Sequence, residues 1–228
     1  MKPSGVKVFI YGIWGRLFGY TFVIKRMEKN EALGADALRA ISDEFPEVQS
    51  IIDDEESHEE ELVALLDEER LQYIGALVLG LNDALVELTG ALAGLIFATA
   101  NTRLVALSGI ITGVSATLSM AASNFLAERA DGNPNALKSS FFTGIAYLIT
   151  VALMVLPYLL FPPHHYIAAF VTMLAVVMAI ILIFNYYLSV VKETPFLRNF
   201  GEMALISLGV MVISFLIGTL ARNVLGLD

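Results

Sequence analysis

Two carboxylates, Asp83 and Glu87, lie four residues apart inside the first long apolar stretch of the sequence. On a helix that spacing puts both on one face, and Leu85 and Leu88 flank the pair without disturbing it. A carboxylate held in lipid is costly, so a pair of them points to an ion or proton path. Glu202 lies near the start of the last apolar stretch, while Asn82, Asn124 and Asn185 add amide oxygens and Met120 adds a thioether. Carboxylate and carbonyl oxygens suit Mn2+ and Fe2+, and a thioether favours softer transition metals over Mg2+ or Ca2+. The competing explanation is structural: polar groups in a membrane also glue helices together, and methionine commonly fills packing gaps. The shared face of Asp83 and Glu87 favours a pathway, and Asp83, Glu87, Met120, Asn124 and Glu202 are its candidate residues.

Those residues need elements to hold them, and the composition says what kind. The chain has 228 residues, of which 57% are hydrophobic and 16% charged, with a mean hydropathy of +0.70. A soluble domain of this length needs more charged surface, so the surplus apolar side chains require lipid as a second solvent. There is no cysteine, which excludes disulfides, thiolate metal sites and cysteine nucleophiles. Apolar runs at residues 71–100, 104–126, 141–161, 166–190 and 200–220 predict five membrane-spanning helices. Asn101-Thr102-Arg103, the ADGNPN run at 130–135, Pro162-Pro163-His164-His165 and the segment 192–199 supply the connections. The paired histidines offer a metal ligand set at an exit, although loop histidines usually carry no function.

Short-loop charge sets the orientation. With the N-terminus in the cytosol, Arg129, Lys138, Lys192 and Arg198 are inside and Arg103 and Arg222 outside, as the positive-inside rule prefers. Five spans then put the C-terminus outside. Gly90, Ala91, Gly94 and Ala98 on the first span, and Gly109, Gly113 and Ala116 on the second, follow a small-xxx-small spacing. This permits close helix approach, either within a protomer or across a dimer.

Before the spans the chain changes character. Sixteen of its twenty-three acidic residues fall between Glu28 and Glu69, against two basic ones, Lys29 and Arg39. Such a segment repels nucleic acid and anionic lipid and attracts cations. Residues 6–26, aromatic and glycine-rich with Lys7 and Arg16 inside the run, read as an amphipathic interfacial helix. Helical spacing of Val48, Ile51, Ile52, Leu62, Leu65 and Leu66 predicts a further helix from about residue 47 to 70. The division is therefore 1–70, a cytosolic or interfacial helical segment, and 71–228, a five-helix membrane domain.

The stretch LGLNDALVELTGALAGL at 79–95, followed by SGIITGVSATLSMAASNFLAER at 108–129, resembles the vacuolar iron transporter family. The likeness is to its prokaryotic branch, in which a ferritin-like domain precedes the transporter. This resemblance implies an all-α homodimer of five-helix protomers that moves Fe2+, and often Mn2+, out of the cytosol in exchange for protons. It places Asp83 on the first-helix aspartate of the translocation path and Met120 on the methionine facing it. Eukaryotic members carry an acidic metal-binding domain between spans two and three, where this chain has only the short loop 128–140. The acidic N-terminal segment would take over metal capture.

Within that ferritin-like segment, Glu55 and His58 form a Glu-x-x-His one turn apart, as in di-iron carboxylate bundles, and Glu28 or Glu31 would bridge. A complete bundle needs two further ligand-bearing helices, so this chain carries half a site: either two protomers combine their halves, or the other half has been lost. The expected function is export of Fe2+ or Mn2+ across a prokaryotic plasma membrane, the metal being substrate and a ligand of the ferritin-like segment. The alternative is a membrane-anchored ferroxidase whose chemistry rests on Glu31, Glu55 and His58.

Overall fold

Apolar runs of more than twenty residues in a chain this poor in charge must either be buried or face lipid, and as helices they satisfy their own backbone hydrogen bonds. The computed structural model describes residues 11, 12, 15, 19, 21–26 and 73–225. Five long helices account for most of them: α1 (Ile74–Thr99), α2 (Thr102–Ala130), α3 (Ala136–Leu160), α4 (Tyr166–Val191) and α5 (Phe196–Leu225). All five are long and apolar enough to cross a membrane, and among the described residues there is no strand. They are the helices of an integral membrane protein.

The helices start and stop for local reasons. At the end of α1, Ala100 takes a left-handed conformation (φ 49°) and its N–H bonds to the Ile96 carbonyl. Asn101 is extended, and its side-chain oxygen accepts from the N–H groups of Arg103 and Leu104 at 3.0 and 3.3 Å. This N-cap satisfies two of the donors that a helix start otherwise leaves unpaired. The first connection is thus two residues long, and Thr102 and Arg103 already belong to α2. Between α2 and α3, Gly132 supplies a positive φ (77°) and the Asn133 N–H returns to the Glu128 carbonyl at 2.9 Å. Helices α2, α3 and α5 begin or end several residues beyond the apolar runs that announced them. Hydropathy marks the length in contact with lipid, while the helix continues through polar residues such as Glu128, Arg129 and Ser139.

The chain divides into two compact units, residues 1–72 with 186–195, and residues 73–185 with 196–228. In the first, residues 21–26 are helical. Phe22 stacks on Tyr187 with ring centroids 5.8 Å apart, and the Lys25 ammonium meets the Glu193 carboxylate at 2.6 Å.

The second unit holds the core. Leu85, Leu88, Leu92 and Ile96 of α1 pack with Val105 of α2, with Tyr147, Val151, Met154 and Tyr158 of α3, and with Ala169, Met173, Val177 and Ile181 of α4. Half of the α1 and α3 spans is buried, against 22% for α4 and α5, so α1 and α3 form the centre and the others face outward. Leu107, Ile111, Leu118, Leu153, Leu182, Ile213 and Leu216 are exposed on that outside, where lipid solvates them.

Close backbone approach fixes how the helices lie against α1. A methyl group added at Gly218 of α5 would run into the carbonyl oxygen of Gly94, and one at Gly90 would come within 2.7 Å of Val210. On the other side, Gly80 leaves no room for a side chain against the main chain of Thr143 on α3. Gly109 and Gly113 of α2 accommodate Val155 and Val151 of α3. Gly90, Gly94, Gly109 and Gly113 therefore all make close contacts within the chain.

Candidate functional site

Helix α1 is packed on three sides, by α2, α3 and α5, and this leaves one narrow line of it uncovered. Its exposed residues are Gly75, Leu79, Asp83 and Glu87, each four positions after the last. Both carboxylates thus lie on the only exposed line of a central helix. The helix is 26 residues long, about 39 Å at about 1.5 Å per residue, and the two acids straddle its middle. Each acid at mid-span costs about 3 kcal/mol to insert on the translocation scale, so lipid alone is a poor surrounding for this line.

The two acids are not equivalent. Glu87 Oε2 accepts a hydrogen bond of 2.6 Å from the Tyr147 hydroxyl on α3. Among the described residues no group donates to Asp83. Tyr147 itself is fully buried. Sequence reading missed it, although a tyrosine in the middle of an apolar span is a signal, because a buried phenol needs a partner.

Met120 is half-buried on α2 and packs against the core cluster. Counted along the antiparallel helices from the Gly109–Leu92 contact, Met120 lies within about one turn of the level of Asp83. The same helix exposes Thr112, Ser115, Ser119 and Ser123, a line of hydroxyls that the sequence reading also passed over.

Asn124 occupies a different setting. It is buried and donates to Ser139 Oγ at 3.1 Å and to Thr143 Oγ1 at 3.0 Å. Ser139 donates on to Glu128 at 2.8 Å, Asn133 donates to the other Glu128 oxygen at 2.6 Å, and Thr143 donates to the Ala76 carbonyl of α1. This network ties α1, α2 and α3 together at the end next to the 131–135 loop. Asn185 donates to the Ile181 carbonyl one turn back. Glu202 is exposed near the start of α5 and accepts from Arg198 Nε at 2.8 Å. His164 and His165 are exposed between α3 and α4, their rings 4.3 Å apart. Glu28, Glu31, Glu55 and His58 lie outside the described residues.

The structure therefore brings Asp83 and Glu87 together, with Met120 near their level, and sets Asn124 and Glu202 in partnerships of their own. Among the described residues no three His, Cys, Asp or Glu side chains converge on one point. The donor atoms at this level are two carboxylates on α1, with a thioether at a similar height on α2.

Residues 74–134, which cover α1, α2 and the turn after them, match the sequence model of the VIT family. That segment holds Asp83, Glu87 and Met120 and amounts to well under half of the chain. No curated protein matches the sequence.

Proposed function

We propose that this chain is a divalent transition-metal transporter of the vacuolar iron transporter family, exporting Fe2+ or Mn2+ from the cytosol in exchange for protons. The observation that carries the reading is the placement of both intramembrane acids on the one uncovered line of a central helix. A helix that merely anchored the chain would gain nothing from two carboxylates there. Asp83 and Glu87 would supply hard oxygen ligands and Met120 a softer one, a set that favours Fe2+ and Mn2+ over Mg2+ and Ca2+. The same carboxylates bind either metal or protons, which gives exchange a physical basis.

Two carboxylates fall short of the roughly six ligands that an ion such as Mn2+ takes. A homodimer related by a two-fold axis would double the acids and cover the polar face of α1 and α2. The acidic stretch from Glu28 to Glu69, with Glu55 and His58, would gather metal at the cytosolic mouth. In this reading the N-terminus is cytosolic, the C-terminus outside and the membrane a prokaryotic plasma membrane.

The test is metal flux into proteoliposomes containing the full chain, followed with a metal-sensitive dye. The expected result is saturable Mn2+ and Fe2+ flux, little Ca2+ or Mg2+ flux, and acceleration by an opposing proton gradient. Flux indifferent to the gradient would remove proton exchange. No flux from folded protein would overturn transport and favour the ferroxidase carried by Glu31, Glu55 and His58.

A further inference from the structure

We infer that Tyr147 is a positioning residue that fixes Glu87 as a one-oxygen ligand and so sets metal affinity and discrimination. The inference rests on the transport reading and adds a residue to it.

Tyr147 cannot easily move. Its ring is fully buried in the core cluster with Leu85, Leu88 and Val151. One turn earlier on α3, Thr143 meets α1 at Gly80 with no space for a side chain between them, and its hydroxyl donates to the Ala76 carbonyl at 3.1 Å. The register of α3 on α1 is thus set by backbone contact, and it delivers the phenol to Glu87. The O–H···O separation of 2.6 Å lies in the range of bonds to an ionised acceptor.

The bond occupies Oε2 and leaves Oε1 for a ligand on the uncovered side. It also restrains a side chain that otherwise has several free torsions. Asp83, with no donor among the described residues, keeps its rotational freedom. The site therefore combines one fixed oxygen ligand with one adjustable one. A fixed ligand favours ions whose size matches its position, and restraining it before the metal arrives lowers the cost of binding.

Tyr147→Phe removes only the hydroxyl and keeps the ring in the core, so it separates this role from packing. The readouts are Mn2+ flux in proteoliposomes and stabilisation of the detergent-purified chain by Mn2+ on heating. The expected result is a half-saturation for Mn2+ raised about five- to tenfold, with maximal flux within about twofold. Discrimination against Mg2+ should narrow as well. In a Glu87→Gln background the same substitution should change nothing further.

Unchanged half-saturation in Tyr147→Phe, by flux and by heating, would overturn the inference. So would an equal effect of the substitution with Glu87→Gln already present, because the hydroxyl would then act on packing. Absence of flux from the unmodified chain would sink the transport reading instead. The heating readout still decides whether Tyr147 governs metal binding at Glu87.

Discussion

Asp83→Asn is expected to lower Mn2+ and Fe2+ flux at least tenfold, about 1.4 kcal/mol or more in the barrier, while the protein stays folded. The amide keeps the size and shape of the carboxylate and removes its charge. Asp83 lies on the uncovered line of α1 without a donor among the described residues, so no hydrogen bond to any of them is lost. The substitution should also ease insertion of α1, since an uncharged group costs less at mid-span. Lost flux with retained or raised thermal stability would therefore mark a ligand and exclude a structural prop. Glu202→Gln is the natural comparison. Glu202 is exposed and paired with Arg198 one turn away, and a change of no more than about twofold is expected for loss of such a surface pair. A loss as deep as that of Asp83→Asn would place Glu202 on the path.

Gly218→Val is expected to be the most damaging substitution to stability. A side chain at 218 has to occupy the position of the Gly94 carbonyl oxygen, so α1 and α5 must separate. Helices in lipid are held by close packing, with little hydrophobic force to pull them back together. Overpacking of this kind costs about 3 kcal/mol, and in a chain of this size that lowers the melting temperature by about 6–12 °C. Gly209→Val makes the same chemical change on the same helix where nothing lies within 4 Å, and it should leave the melting temperature unchanged. Equal effects from the two would show that helix propensity governs, and that the Gly94–Gly218 contact does not.

These two cases show what a sequence can and cannot disclose about such a protein. The spans were legible because lipid demands long uninterrupted apolar runs, and the acids stood out because the same solvent makes them expensive. Their shared face followed from helical spacing alone. The partner of Glu87 was not legible. It depends on how far α3 slides along α1, which the Gly80–Thr143 contact fixes across more than sixty intervening residues. The partners of Asn124 were not legible for the same reason. A lone amide in an apolar run has two explanations, and only the positions of Ser139 and Thr143 reveal which neighbours it bonds. The small-residue spacings announced close contacts without saying between which helices. Helix ends were misplaced by several residues wherever the helix outlasted its apolar stretch.

In the transport reading the uncovered line of α1 faces a wetted metal path and not lipid. The chain contains no cysteine, so single cysteines report without background. Leu79 lies on that line one turn before Asp83, whereas Leu153 is exposed on the outside of α3. The measurement is the rate at which Leu79→Cys, in vesicles, reacts with a charged water-soluble thiol reagent, with and without Mn2+. Ready labelling of Leu79→Cys, slowed by Mn2+, and no labelling of Leu153→Cys are expected. If both positions stay unreactive to the charged reagent and react only with a lipid-soluble one, the line faces lipid and no metal path runs along α1.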